Sequence, residues 1–163
     1  MVPSTQPPAT AVDRVQPVFD TLMDRYDEVV AALLADPRVA SDPNDRRVRA
    51  YLDLFTADNV LAQGTIRHWA SLGQQGLSHA PGPRGRMYDT SVLAVIPNGA
   101  DEASFTTCSL VSVVVKDASG ATVEAEGGAS AGTVVAVRVD GQWKLRDLTS
   151  TSSPQCAPPG ATR

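Results

Sequence analysis

The chain has 163 residues, a formal net charge of −4 and 42% hydrophobic residues, the proportions of one globular domain able to bury a core without staples. The acidic balance leaves no electrostatic footprint for nucleic acid or anionic lipid. The longest apolar runs, SVLAVI and VSVVV, are too short to span a bilayer.

Residues Met1 to Ala11 are rich in Pro, Ser and Thr and are expected to be a disordered leader. They contain neither the basic nor the apolar region of a secretory signal. As it stands the chain is expected in the cytoplasm. It is expected outside the cytoplasm if its two cysteines are bridged and the chain is the trimmed form of an exported protein. Residues 12–149 form the expected domain, and residues 150–163 a Pro-rich tail.

From Val12 to Leu34, Val15, Val18, Phe19, Leu22, Met23, Tyr26, Val29, Val30 and Leu33 recur at helical spacing. Asp20, Asp24, Arg25, Asp27 and Glu28 fill the opposite face. Pro17 is expected in the first turn, since a proline breaks a helix interior. A second helix opens at SDPNDRRVRAYLDLF, with Asp42 as N-cap and Pro43 in the first position. A third covers TADNVLAQGTIRHWASLGQQG, capped by Thr56 or Asp58 and ended by Gly73. Its inward stripe is Leu61, Thr65, His68, Trp69 and Leu72.

LSHAPGPRGRM reads as a loop. Beyond it the period changes to two. MYDTSVLAVI, SFTTCSLVSVVV, TVEAEGG, TVVAVRV and WKLRDL are strand candidates separated by turn signals. For the last hairpin, a three-residue loop Val139-Asp140-Gly141 pairs Val137 with Trp143 and Val135 with Leu145. It sorts the apolar side chains onto one face. Helices followed by an antiparallel meander predict an α+β fold, three N-terminal helices on one face of a curved sheet.

That layout resembles the nuclear-transport-factor-2-like superfamily, the cystatin-like cone, which also houses SnoaL-type cyclases, ketosteroid isomerases, scytalone dehydratase and limonene epoxide hydrolase. The terminal VAVRVDGQWKLRDL is similar to the last hairpin of such domains. The Cys in FTTCSLVSVVV and a late Cys resemble small actinobacterial members. The resemblance spans Asp13 to Leu148 and implies a cone able to hold a ligand. It carries no catalytic set across: neither the isomerase base with its Tyr/Asp pair nor the epoxide hydrolase Asp-Arg-Asp set can be matched. The fold hosts unrelated chemistries.

The expected ligand is a small, mostly apolar organic molecule, with Phe19, Tyr51, His68, Trp69, Tyr88, Phe105 and Trp143 as the lining. The alternative is an isomerase, cyclase or dehydratase with His68 as base and Tyr51 or Tyr88 as acid, because histidine titrates near neutrality. A third reading is a homodimer formed through the open sheet face. No cofactor is expected. A metal is not expected either, because His68 and His79 have no partners at ligand spacing. Glu124 and Glu126 read as a solvated face. Cys108 lacks a nearby cation or histidine to activate it. Alternation puts it on the sheet face opposite Phe105. It is left as either a disulfide partner of Cys156 or an inert core thiol.

Overall fold

The computed structural model describes residues 11–156, and side-chain surroundings from residue 15. The expected leader, apart from Ala11, and residues 157–163 of the tail lie outside the described residues.

Helix α1 runs unbroken over Ala11–Ala35 and contains Pro17. It therefore starts earlier than a proline in the first turn would allow. Its early turns are fastened to the sheet by side chains. Gln16 Nε2 donates to Val92 O at 3.1 Å, and Val92 N donates to Asp20 Oδ1 at 3.3 Å. Phe19, Met23, Val30, Leu33 and Leu34 are buried.

A short 3-10 turn, Pro37–Ser41, leads to α2, Arg46–Asp53. The N-cap is Asp45, not Asp42. Asp45 Oδ1 accepts from Arg47 N at 2.8 Å, and Oδ2 accepts from the Arg47 guanidinium at 2.9 Å. Asp42 instead accepts from Asn44 N and shapes the preceding turn. Helix α3, Val60–Gln74, is capped by Asn59, whose Oδ1 accepts from Ala62 N at 3.0 Å. Thr56 accepts a bond from the Asn59 amide, and Asp58 takes a positive φ of 54°. The helix ends at Gly76 rather than Gly73. Gly76 has φ 73°, Gly76 N donates to Gly73 O, and Leu77 N donates to Leu72 O, which is a Schellman ending.

The inward side of α3 is Ala62, Ile66, Trp69 and Gly73, with Ala62, Trp69 and Gly73 buried and Ile66 packed against the core. This corrects the expected phase, since Leu61 and His68 are exposed. Gly73 sets the phase. A Cβ there would stand 2.5 Å from Arg38 N, so helix backbone and 3-10 turn meet directly.

The sheet is five-stranded, antiparallel and unclosed. Strand β1 is Ser78–Pro81, β2 Tyr88–Pro97, β3 Glu102–Lys116, β4 Thr122–Val139 and β5 Gln142–Ser152. Strand β1 lies in the stretch expected to be a loop. TVEAEGG and TVVAVRV are one strand, and β5 continues past the expected domain boundary at residue 149. Strands β2 and β1 lie end to end along one edge of β3, pairing Tyr88 with Val111 and Pro81 with Val113. Strand β4 follows on the other edge, then β5. Residues 54–56 cover the outer edge of β5: Leu145 N donates to Leu54 O at 2.7 Å and Thr56 N to Leu145 O at 2.9 Å.

The last hairpin corrects a register. Val139 pairs with Gln142 and Arg138 with Trp143, leaving the two-residue loop Asp140-Gly141. Both residues have positive φ, 49° and 78°, the type I′ geometry whose twist matches the strands. The clean sorting assumed an unbroken ladder, but Arg146 is an extra residue between the pairs Val135–Asp147 and Ala136–Leu145. The bulge restores Leu145 and Leu148 to the inner face. Arg138 is accommodated because its guanidinium lies 5.0 Å over the Trp143 ring.

Candidate functional site

Alternation along β3 puts Ala103, Phe105, Thr107, Ser109, Val111, Val113 and Val115 towards the helices. Phe105 stacks on Phe19 at 4.7 Å, and Phe19 meets Trp143 edge-on at 5.0 Å. This end of the sheet is solid core. One turn further along α1 the two layers part, and a cavity of about 320 Å3 opens between them. Its helical wall includes Met23, Tyr26, Asp27, Val30, Leu34 and Trp69. Its sheet wall is built from Tyr88, Thr90, Thr107, Ser109, Ser130, Leu148 and their neighbours, with Glu126 also in the lining. A more open depression of about 440 Å3 shares Val111, Glu126, Ser130 and Ser150 with it.

Hydroxyl-bearing and small residues make the sheet wall because α1 does not fill the space above it. Gly132 is required there, since a Cβ would stand 2.6 Å from Thr107 Oγ1 and 3.0 Å from Thr149 O.

The polar centre is Asp27, 5% exposed. Thr90 N donates to its Oδ2 at 2.8 Å, the Thr90 hydroxyl to its Oδ1 at 2.9 Å, and Thr90 Oγ1 lies 2.6 Å from Ser109 Oγ. Burial pushes the Asp27 carboxyl up to about 6, against the two Thr90 bonds that favour its ionised form; Asp24 and Asp89 push it the same way as burial. Tyr88 is pushed up to about 12 by burial and by the charges of Glu126 and Asp27. Burial likewise raises Tyr26 and Tyr51, Tyr26 also through Tyr51. Tyr51 stands 6.1 Å from Tyr26 and 4.9 Å from Trp69, ring to ring, behind the cavity wall.

Of the expected lining, Trp69 and Tyr88 border the cavity. Phe19, Phe105 and Trp143 pack on one another in the core, and Tyr51 is buried in the aromatic cluster. His68 is exposed on α3, which takes it out of the role of base in the cone. Glu126 shares the inner face of β4 with Glu124, but it reaches the cavity rim. Asp27, expected on the polar face of α1, lies in the cavity instead. Its position four residues after Met23 and three before Val30 is the signal that places it inward. His79 sits on β1 opposite Val115 with its Nδ1 buried and unbonded.

Cys108 and Cys156 are bridged, with Cα atoms 5.8 Å apart. The bridge lies on the outer face. Around it, Ser153 N donates to Ala129 O at 2.9 Å. A depression of about 390 Å3 on that face is lined by residues that include Leu93, Thr106, Ala131, Thr133, Thr149 and Thr151. Among the described residues no group of His, Cys, Asp and Glu is arranged to hold a metal ion, and no helix is long and apolar enough to cross a membrane.

This geometry is an α+β fold of the cystatin-like type, three helices followed by a curved, unclosed antiparallel sheet. The chain is similar to the intermembrane-space region of the chloroplast protein ARC6, at 12% identity and TM-score 0.64, covering 90% of this chain and all of that one. It is also similar to a ketosteroid isomerase-like protein from Erwinia carotovora atroseptica, at 13% identity and TM-score 0.53, covering 86% and 97%. The periplasmic domain of DotI matches at 14% identity and TM-score 0.51, covering 91% and 100%. At these identities the likeness is one of fold. No family model and no curated protein matches the chain.

Proposed function

We propose that this domain binds a small organic molecule in the cone. The observation that carries this reading is the cavity of about 320 Å3 between α1, α3 and the inner face of the sheet, at the lower end of the range for small-molecule sites. The helical wall is apolar and aromatic apart from the buried Asp27 carboxylate; the sheet wall facing it carries a row of hydroxyls. Such a site suits an amphipathic ligand better than the mostly apolar one expected from the sequence. Filling the space tests the reading. Ser130→Phe places a ring in the cavity from the sheet side, and Trp69 in the opposite wall reports occupancy by its fluorescence. Ligands from an amphipathic library that quench or shift Trp69 in the wild type are expected to lose that effect in Ser130→Phe. An unchanged response in the filled variant would place binding elsewhere and end the proposal.

A second reading has one observation behind it: the Asp27 carboxyl, pushed up to about 6 inside the cavity, has the basicity of a general base working near neutral pH. Tyr88, beside it in the lining, would supply the acid. This keeps the acid–base alternative but moves the base from α3 to α1.

A further inference from the structure

The class of ligand follows from the charges in the cavity, and this inference rests on the reading that the cavity binds a small molecule. Two lining residues are charged, Asp27 and Glu126, and both are acidic. Among the described residues, the arginines and the lysine in ion pairs meet Asp36, Asp45, Asp53, Asp89 and Glu102, never these two. The charged groups that perturb Asp27 are Asp24 and Asp89, which repel its negative charge. The basic group that senses Glu126 is His79, whose imidazole burial pushes down, away from the charged form.

Buried carboxylates in folded proteins are normally paired, because an isolated charge is costly to remove from water. Thr90 satisfies one acceptor position on each Asp27 oxygen, and a carboxylate has about four in all. The unused positions belong to a group that lines the cavity. Around it stand three aromatic rings, Tyr26, Trp69 and Tyr88, whose faces attract cations. A buried anion, aromatic walls and no counter-charge together define the complement of a positively charged ligand.

We propose that the cone takes a small organic cation, a protonated amine with an apolar body, whose ammonium group pairs with Asp27 while its body packs against Met23, Val30 and Trp69. Glu126 at the rim raises the local concentration of such cations and favours their entry.

The test uses the whole chain with its disulfide intact and a panel of aryl-alkyl amines, each with its alcohol and its carboxylate counterpart. Affinities are measured by calorimetry at pH 7.5. Amines are expected to bind at least about ten-fold more tightly than their alcohols, a margin of about 1.4 kcal/mol, and the carboxylates not at all. Asp27→Asn should shrink the amine margin to three-fold or less while leaving alcohol affinity nearly unchanged. Glu126→Gln, at an exposed site where folding is not at stake, should slow amine association and weaken its dependence on salt. Alcohols binding as tightly as amines, or an amine margin that survives Asp27→Asn, would overturn the cation assignment and leave the cavity reading standing. Binding by no member of the panel would overturn both.

Discussion

Asp27 of α1 receives both of its hydrogen bonds from one residue of β2, Thr90: the backbone N–H at 2.8 Å and the hydroxyl at 2.9 Å. With Gln16 and Asp20, which bond to Val92, Asp27 completes a line of polar side chains that holds α1 along the edge of β2. The same carboxylate therefore fastens a helix to the sheet and supplies the charge of the cavity. Both roles are served by the ionised carboxylate, and burial opposes it.

Stability should vary with pH through Asp27 in the unusual direction. Its folded value, about 6, lies above the ordinary 3.8. Between those values the folded chain binds more protons than the unfolded chain, so stability falls as pH rises from 4 to 6. The difference corresponds to at most about 3 kcal/mol. Asp36, Asp45 and Asp117 are shifted below the usual range by hydrogen bonds from Arg38, Arg47 and Ser119 respectively. They contribute in the opposite sense, mainly below pH 4. Asp27→Asn is expected to be more stable than the wild type at pH 7.5 and about equal to it at pH 4.5, as read from urea midpoints. A variant less stable at both pH values would contradict this account.

Thr90→Val keeps shape and removes the hydroxyl. It strips Asp27 of one bond to its charged form and Ser109 of its partner. A cost of about 1–3 kcal/mol is expected, together with an Asp27 carboxyl titrating above the wild-type value. Carbon NMR of the carboxyl group across pH 4–8 reads this directly, and an unshifted titration would show that the hydroxyl bond does not favour the anion.

The Cys108–Cys156 bridge closes a sequence separation of 48 residues. Cys156→Ala should lower stability by about 3–4 kcal/mol through the unfolded chain. Cys108→Ala with Cys156→Ala should cost little more than either change alone, because the second removes nothing the first left in place. Denaturant titration of the three variants checks it, and additive losses would mean that the sulfur atoms contribute mainly through separate packing.

Gly73→Ala forces α3 away from the 3-10 turn, since the added carbon would sit 2.5 Å from Arg38 N. A loss of about 1–3 kcal/mol is expected. Trp69, one turn earlier, should move with the helix, so its fluorescence maximum should shift even where the chain remains folded.

How much of this was legible in the residues differs from element to element. The helix-then-strand order, the alternation through FTTCSLVSVVV and the side of the sheet on which Cys108 lies follow from local period, and the structure has them. The phase of α3 does not follow from period, because Leu61 and Ala62 each begin an acceptable stripe. The close approach of Gly73 to Arg38, a contact between distant segments, decides between them. The last hairpin misled for a similar reason: a bulge at Arg146 and the Arg138–Trp143 stack lie outside a two-colour pattern of apolar and polar. Asp27 was hidden because a carboxylate on an amphipathic helix reads as solvated until the opposite layer supplies Thr90.

The bridge from Cys108 to the tail has a mechanical consequence for the cavity. Strand β3 is paired on both edges, and the tail that follows β5 is hydrogen-bonded to β4 and tied covalently to β3 across the outer face. The sheet wall is thereby held by a lattice of backbone bonds with one covalent rivet. The helical wall rests on it through a few side-chain bonds and packing. Compliance is concentrated on the side of α1 and α3, so exchange of any occupant is expected to proceed by flexing of the helices over a rigid floor.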